Sequence, residues 1–325
     1  VLVAKRIDFL DGAPIEGAPE PAWIHGALSN RLTTDPLIQV HAHDPHTYVL
    51  RQSKATSYEA PFVFLLLGNE RALLLDTGAT ADPEKFPLRA TVDGIIDDWL
   101  SEHAGHARDS YELVVAHTHG HGDHVAGDPQ FAGRPHTTTV GVEVAAVQAY
   151  FGFSDWPEQI VRFDLGGRVL EITGCPGHHA ASIAVYDRWS GFLFTGDTVY
   201  PGRLYVKDFP AFVASLDRLV DLAAERPVTR VLGCHIEMTR RPGRDYPAGS
   251  TYQPDEPPLA MTVAQLTAVR DAAHEVADRP GVHRRDDFII WNGVTLRPQL
   301  VQVARLCAER LRNGIRHRST RSPTP

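Results

Sequence analysis

Cysteine is scarce in this 325-residue chain. Its three residues, at 175, 234 and 307, are an odd number and set up no disulfide framework. Positive charge is in deficit, with 32 Lys and Arg against 40 Asp and Glu and a net charge of −8. A nucleic-acid surface wants clustered Lys and Arg, so that partner is not expected. No apolar run reaches membrane-spanning length, which removes a membrane partner from the expectations. Val1-Leu2-Val3-Ala4-Lys5-Arg6 lacks the charged-then-apolar pattern of a signal peptide. The expectation is a cytoplasmic protein acting on a small molecule, with a leader removed before Val1 left open. What remains is ordinary for a globular protein, 43% hydrophobic and 22% charged, and long enough for one large core or two modest ones.

The chain is organised around Thr118-His119-Gly120-His121-Gly122-Asp123-His124. It follows the apolar run Tyr111–Ala116, which reads as a buried strand delivering a turn at its carboxyl end. Glycines at 120 and 122 are expected to let the backbone bend so that alternate side chains converge. Neutral imidazoles with a carboxylate suit a borderline cation such as Zn²⁺. A His-rich surface loop is the bland alternative in a chain with 17 histidines.

His119-x-His121-x-Asp123-His124 resembles the HxHxDH signature of the metallo-β-lactamase-fold superfamily, and further segments resemble its motifs in order. These are Leu73–Gly78 with Asp76, Pro176-Gly177-His178, Leu193–Thr198 with Asp197, and Val231-Leu232-Gly233-Cys234-His235. The resemblance covers roughly residues 46 to 240. It implies an α/β fold, the αββα sandwich, with a C-terminal helical or mixed extension. It also implies two divalent metal ions, zinc foremost, with manganese or iron accepted by the same donors. His119, His121 and His178 would hold one ion and Asp123, His124 and His235 the other, with Asp197 bridging and Asp76 supporting the site from behind. The implied enzyme is a metal-dependent hydrolase, in which a bridging hydroxide attacks the carbonyl of a lactone, thioester or ester.

Tyr200 stands three positions after Asp197, as a tyrosine does in the lactonase branch, and the resemblance makes it a hydrogen-bond donor to developing charge. Packing is the plain alternative for such a residue. Asp123, by the same analogy, is a proton carrier to the leaving group. The glyoxalase II type of thioesterase shares the full ligand set, but Pro201-Gly202-Arg203-Leu204 departs from the Gly-Cys-Gly-Arg found there. β-Lactamase-type amide hydrolysis and an iron-dependent redox protein stay open as alternatives. His179, beside His178, and Cys175 and Cys234, which flank ligands, are read as non-ligands. Arg203, Tyr205 and Lys207 are candidates to meet an anionic substrate or are merely solvated.

Around this core, residues 1–45 read as a segment that wraps the core or joins a contact between copies of the chain, a homo-oligomer being left open. His41-Ala42-His43-Asp44-Pro45-His46 reads as a solvated loop that imitates a metal site. The aromatic loop Phe151–Pro157 is either cleft lining or packing. Residues 241–312 read as an extension packed on the core, with helical patterns at 261–278 and 297–312 and a strand at 288–291. Residues 313–325 read as a basic, disordered tail.

Overall fold

The structure is a computed structural model that describes residues 6–29, 32–103, 110–293 and 296–319. Two six-stranded sheets face each other. The first has the order β1 (Ile38–Asp44), β2 (Thr47–Gln52), β3 (Phe62–Leu67), β4 (Arg71–Leu75), β5 (Glu112–Ala116) and β6 (Thr137–Thr139). The second runs β13 (Ala260–Met261), β12 (Arg230–Gly233), β10 (Phe192–Gly196), β9 (Ile183–Asp187), β8 (Val169–Gly174) and β7 (Ile160–Asp164). Side chains such as Phe62, Phe64, Phe192 and Phe194 fill the space between them. Because β3 is buried on both faces it is apolar at every position, whereas a strand with one wet face would alternate.

A helix layer covers each outer face. On the first sheet lies α1 (Leu88–Glu102), whose Leu88, Val92, Ile96 and Trp99 recur at helical spacing and meet Leu65 and Leu74. On the second lie α4 (Phe209–Glu225) and α5 (Val263–Val276), meeting Leu193 and Val231 through Leu216, Leu219, Leu266 and Val269. Asp208 caps α4 by accepting from Ala211 N, and Thr262 with Gln265 forms a capping box on α5. The shorter α2 (Gly122–Val125) and α3 (Val144–Phe151) follow β5 and β6. The αββα sandwich expected from the motifs is the fold observed.

Beyond residue 240 the chain is woven into that sandwich. β13 completes the second sheet beside β12, and α5 is part of its outer layer. β11 (Arg203–Val206) pairs in parallel with β15 (Ile289–Asn292), which pairs with β14 (Gly281–Arg284), in a third small sheet. The final helix α6 runs from Leu296 to Ser319, past the end expected at 312, with no proline to stop it before Pro323. The rest of the tail expected to be disordered, residues 320–325, lies outside the described residues. α6 meets the body through polar groups: Gln302 and Arg305 reach Asp245, and Glu309 accepts from Ser250. Leu300, Val303 and Leu311 on it are exposed. No helix among the described residues is long and apolar enough to cross a membrane.

One local reading is corrected. Residues 41–44 belong to β1, and His43 and His46 are buried, not solvated. His43 Nδ1 lies 3.1 Å from Ala18 O, and His46 Nδ1 accepts from Trp99 Nε1 at 2.8 Å. The Asp-Pro pair does mark a turn, but a turn between two paired strands draws its flanking residues into the sheet.

Candidate metal centre

Five strand ends build the site. β4 and β5 are parallel neighbours, so Asp76 and the 117–124 segment leave the first sheet side by side. In the second sheet β8 and β10 are each antiparallel to β9, and β10 is parallel to β12. The carboxyl ends of β8, β10 and β12 therefore share one edge, followed by His178, Asp197 and His235 respectively. Ile183 N donates to Thr118 O at 2.9 Å and Phe62 N to Cys234 O at 2.8 Å, tying the two edges together.

The bend in the 118–124 segment has a different origin from the one expected. Gly120 and Gly122 are not left-handed; His121 is extended and opens α2, which carries Asp123 and His124. Asp76 is a non-glycine residue with positive φ, at +72°, a conformation that costs a side chain energy unless its surroundings fix it. Gly177, at φ +140°, is required as glycine, as is Gly196 beside Asp197, where a Cβ would stand 2.7 Å from Thr118 Cβ. A Cβ on Gly177 would stand 2.5 Å from Phe212 Cα, and the Gly177 carbonyl accepts from Lys207 N and Asp208 N at 2.9 Å each.

Two groups of donor atoms result. His119 Nε2 and His178 Nε2 each lie 2.9 Å from His121 Nδ1. Asp123, His124, Asp197 and His235 form the second group, with His124 Nε2 and His235 Nε2 at 3.4 and 3.2 Å from Asp123 Oδ2. Asp197 faces both groups. Its Oδ2 is 3.6 Å from His124 Nε2, 3.8 Å from His178 Nε2 and 4.0 Å from His119 Nε2, and its Oδ1 is 3.4 Å from His235 Nε2. The seven residues expected to act together do stand together. His179 does not join them: its Nδ1 accepts from Ala181 N at 3.2 Å. Cys175 does not either, whereas the Cys234 thiol lies behind the centre, grouped with Asp76 and His124. Cys175 donates to Thr198 Oγ1 and Cys234 to Asp76 Oδ2, and burial pushes both thiols up, Cys175 to about 11.

The imidazoles are held from behind. Asp76 Oδ2 is 3.0 Å from His124 Nδ1, and the same carboxylate accepts from Thr118 N and Thr118 Oγ1. His178 Nδ1 lies 2.7 Å from Tyr205 O and His235 Nδ1 3.3 Å from Glu59 O. In each case an oxygen stands against the outer nitrogen and fixes the ring so that the inner nitrogen faces the centre. His121 is turned the other way, with Nδ1 inward and Nε2 2.8 Å from the exposed Lys207 Nζ.

Electrostatics divides the two groups. Burial lowers His119 and His178, and lowers His121 to about 4, so these three rings are neutral near pH 7. Burial opposes charge on His124 and His235 as well, but the carboxylates around them outweigh it and hold both up, His235 at about 9. The same pairs hold Asp123 and Asp197 well below the usual carboxylate range against their burial. A second observation shows that these residues suit cations: His124 Nε2 and Asp197 Oδ1 are buried with no hydrogen-bond partner. Buried polar atoms are seldom left so unless something else takes the lone pair. The donors, imidazole and carboxylate throughout, are those a divalent ion accepts.

Tyr200 sits at the wall of the cleft above this centre, its ring 5.6 Å from that of His235. Its hydroxyl is buried and donates to Arg203 O, with Glu237 Oε2 at 3.2 Å. Glu237, which sequence reading passed over, also accepts from Arg203 N and pairs with the Arg203 guanidinium. Arg203 further reaches Asp245, Tyr246 O and Tyr205 Oη. No short-range pattern marks Glu237; only its place two residues after His235 could have drawn attention to it. In the aromatic loop, Phe151 and Phe153 are buried in the core, whereas Trp156 and Pro157 line a neighbouring cavity that also touches His178.

This fold with this donor set defines a metal-dependent hydrolase. Residues 59–235 match the sequence profile described as the metallo-beta-lactamase superfamily. The chain belongs to the metallo-β-lactamase superfamily, whose members bind divalent metal. It is 30% identical over 249 residues to a hydroxyacylglutathione hydrolase of Synechococcus sp. (strain JA-3-3Ab), covering 73% of this chain and 86% of that one. It is 28% identical over 231 residues to a hydroxyacylglutathione hydrolase of Brucella ovis, covering 67% of this chain and 83% of that one. These relatives bear out the glyoxalase II-like side of the superfamily. Among solved structures it is similar to a metallo-beta-lactamase from Pontibacter korlensis, at 16% identity and a TM-score of 0.47 over 73% of this chain and 99% of that chain.

Proposed function

We propose that this chain hydrolyses thioesters at a dinuclear centre, with His119, His121 and His178 on one divalent ion, Asp123, His124 and His235 on the other, and Asp197 between them. The placement of Asp197 carries this reading: one buried carboxylate faces both groups of imidazoles with an oxygen toward each. Zinc suits the donors, and manganese and iron accept them too. Two such ions supply an acidified water as nucleophile and a Lewis acid for the carbonyl oxygen.

The chain's own residues do the remaining work. Asp76, Tyr205 O and Glu59 O keep the rings oriented, so that assembling the centre costs little reorganisation. Asp123 lies in the cleft and 3.2 Å from His235 Nε2, placed to pass a proton toward a departing thiolate. A cleft of about 360 Å³ above the centre receives the substrate.

The thioester is preferred over the lactone for two reasons. The relatives at 28–30% identity are hydroxyacylglutathione hydrolases. The lactone reading leaned on Tyr200, whose hydroxyl here is committed to Arg203 O. The test is a panel of thioester, lactone, ester and β-lactam substrates with the metal-loaded protein. Preference for the thioester supports the proposal, and a clear preference for another class refutes it.

A further inference from the structure

The wall of the cleft facing the metal centre carries a buried ammonium that shares its carboxylate with a second cation. Lys54 lies between β2 and β3, is 3% exposed and lines the same cleft as His121, Asp123 and His235. Its Nζ donates to Tyr58 O at 3.2 Å and stands 3.9 Å from Glu256 Oε1. Glu256 is already spent: both of its oxygens take the Arg51 guanidinium, at 2.6 and 2.8 Å. Two buried cations thus share one carboxylate. Beyond them stand Arg203 and Glu237, which neutralise each other.

Two buried cations on one carboxylate leave a charge unbalanced, which is costly, and the cost falls when a ligand brings a further negative charge. Burial pushes the Lys54 ammonium down to about 7, with Glu256 opposing, which agrees with a cation short of partners. A second polar group in this wall is also incomplete. Gln253 lines the cleft, is 4% exposed, and its Oε1 has no hydrogen-bond partner.

The other cations of the cleft are not equivalents. Every nitrogen of Arg203 is engaged, by Glu237, Asp245, Tyr246 O and Tyr205 Oη. Lys207 is exposed and sits on His121. One lysine suits a singly charged carboxylate; a phosphoryl group would call for more cations than the wall has left.

We infer that Lys54, with Gln253 beside it in the wall, is a specificity site for a carboxylate on the part of the substrate that projects away from the metals. This rests on the reading of the centre as a thioester hydrolase, and it narrows the substrate to a thioester of an acidic thiol.

The test is calorimetric titration of the metal-loaded full chain with S-methylglutathione, which has two carboxylates and no scissile bond, and with its dimethyl ester. The acid is expected to bind at least tenfold more tightly than the diester. Lys54→Met is expected to abolish that difference, and on a hydroxyacyl glutathione to raise KM at least tenfold while kcat stays within threefold. Equal affinity of the wild-type protein for acid and diester overturns the inference, whether or not the variant folds. So does a Lys54→Met protein that still prefers the acid tenfold. A preserved preference in the wild type with no turnover of the thioester would overturn the thioesterase reading and leave the carboxylate site standing.

Discussion

Asp76 Oδ2 lies 3.0 Å from His124 Nδ1, and both side chains are wholly buried. The carboxylate fixes which nitrogen of His124 faces the centre and supplies charge that strengthens it as a ligand. Asp76→Asn keeps an acceptor oxygen but removes that charge. Metal affinity, read by competition with a chromophoric chelator, is expected to fall about 10- to 100-fold. Affinity within twofold of wild type would reduce Asp76 to a backbone support.

His121→Ala removes the imidazole that stands between His119 and His178. Elemental analysis should show a fall from about two metal equivalents toward one, since two imidazoles and a shared carboxylate hold an ion less well than three imidazoles with it. Turnover should fall to background. An active variant with its full metal content would exclude the trio as a ligand set.

Tyr200→Phe separates two roles for the phenol. The hydroxyl gives its proton to Arg203 O inside the cleft wall, so its loss deprives that buried carbonyl of a donor, at about 1–2 kcal/mol, while Glu237 keeps Arg203 N. The expected outcome is a lower melting temperature, unchanged metal content and a modest loss of kcat. A hundredfold loss of kcat at unchanged stability would put the hydroxyl at the reacting atoms instead.

Asp245 joins three arginines from separate elements: Arg203 of β11, Arg284 of β14 and Arg305 of α6. Against its burial these charges hold its carboxyl down to about 2, below its ordinary 3.8. A depressed carboxyl contributes stability above its unfolded value, and that contribution is lost as pH falls through the folded one. Asp245→Asn is therefore expected to cost about 2 kcal/mol in urea unfolding at pH 7. The gap from wild type should narrow between pH 4 and 2. A gap independent of pH would point to lost hydrogen bonds alone.

Much of this was legible because strand ends carry the chemistry. The apolar runs at 62–67, 73–75, 111–116, 192–195 and 231–232 announce buried strands, and each potential ligand follows one of the last three or the Pro-Gly turn. What stayed hidden depends on pairing at a distance. β6, β11 and β13 are two to four residues long and take their conformation from neighbours, so no periodicity marks them. Buried His43 and His46 looked solvated because their apolar company, Phe192 and Trp99, lies far away in sequence. The Lys54–Glu256–Arg51 group joins residues some 200 positions apart, which no local pattern announces. α6 reverses the usual rule by packing with its polar side and exposing Leu300 and Leu311, so its periodicity predicted the helix but not its orientation.

The central claim is that two divalent ions at this centre hydrolyse a thioester. The most direct measurement is thioester turnover by one preparation as isolated, after removal of metal by a chelator, and after titration with Zn²⁺. The account predicts that activity disappears with the metal and returns as zinc is added, reaching its plateau at about two equivalents per chain. Thioester hydrolysis that survives complete metal removal, or a zinc-replete protein that leaves thioesters intact, would contradict it.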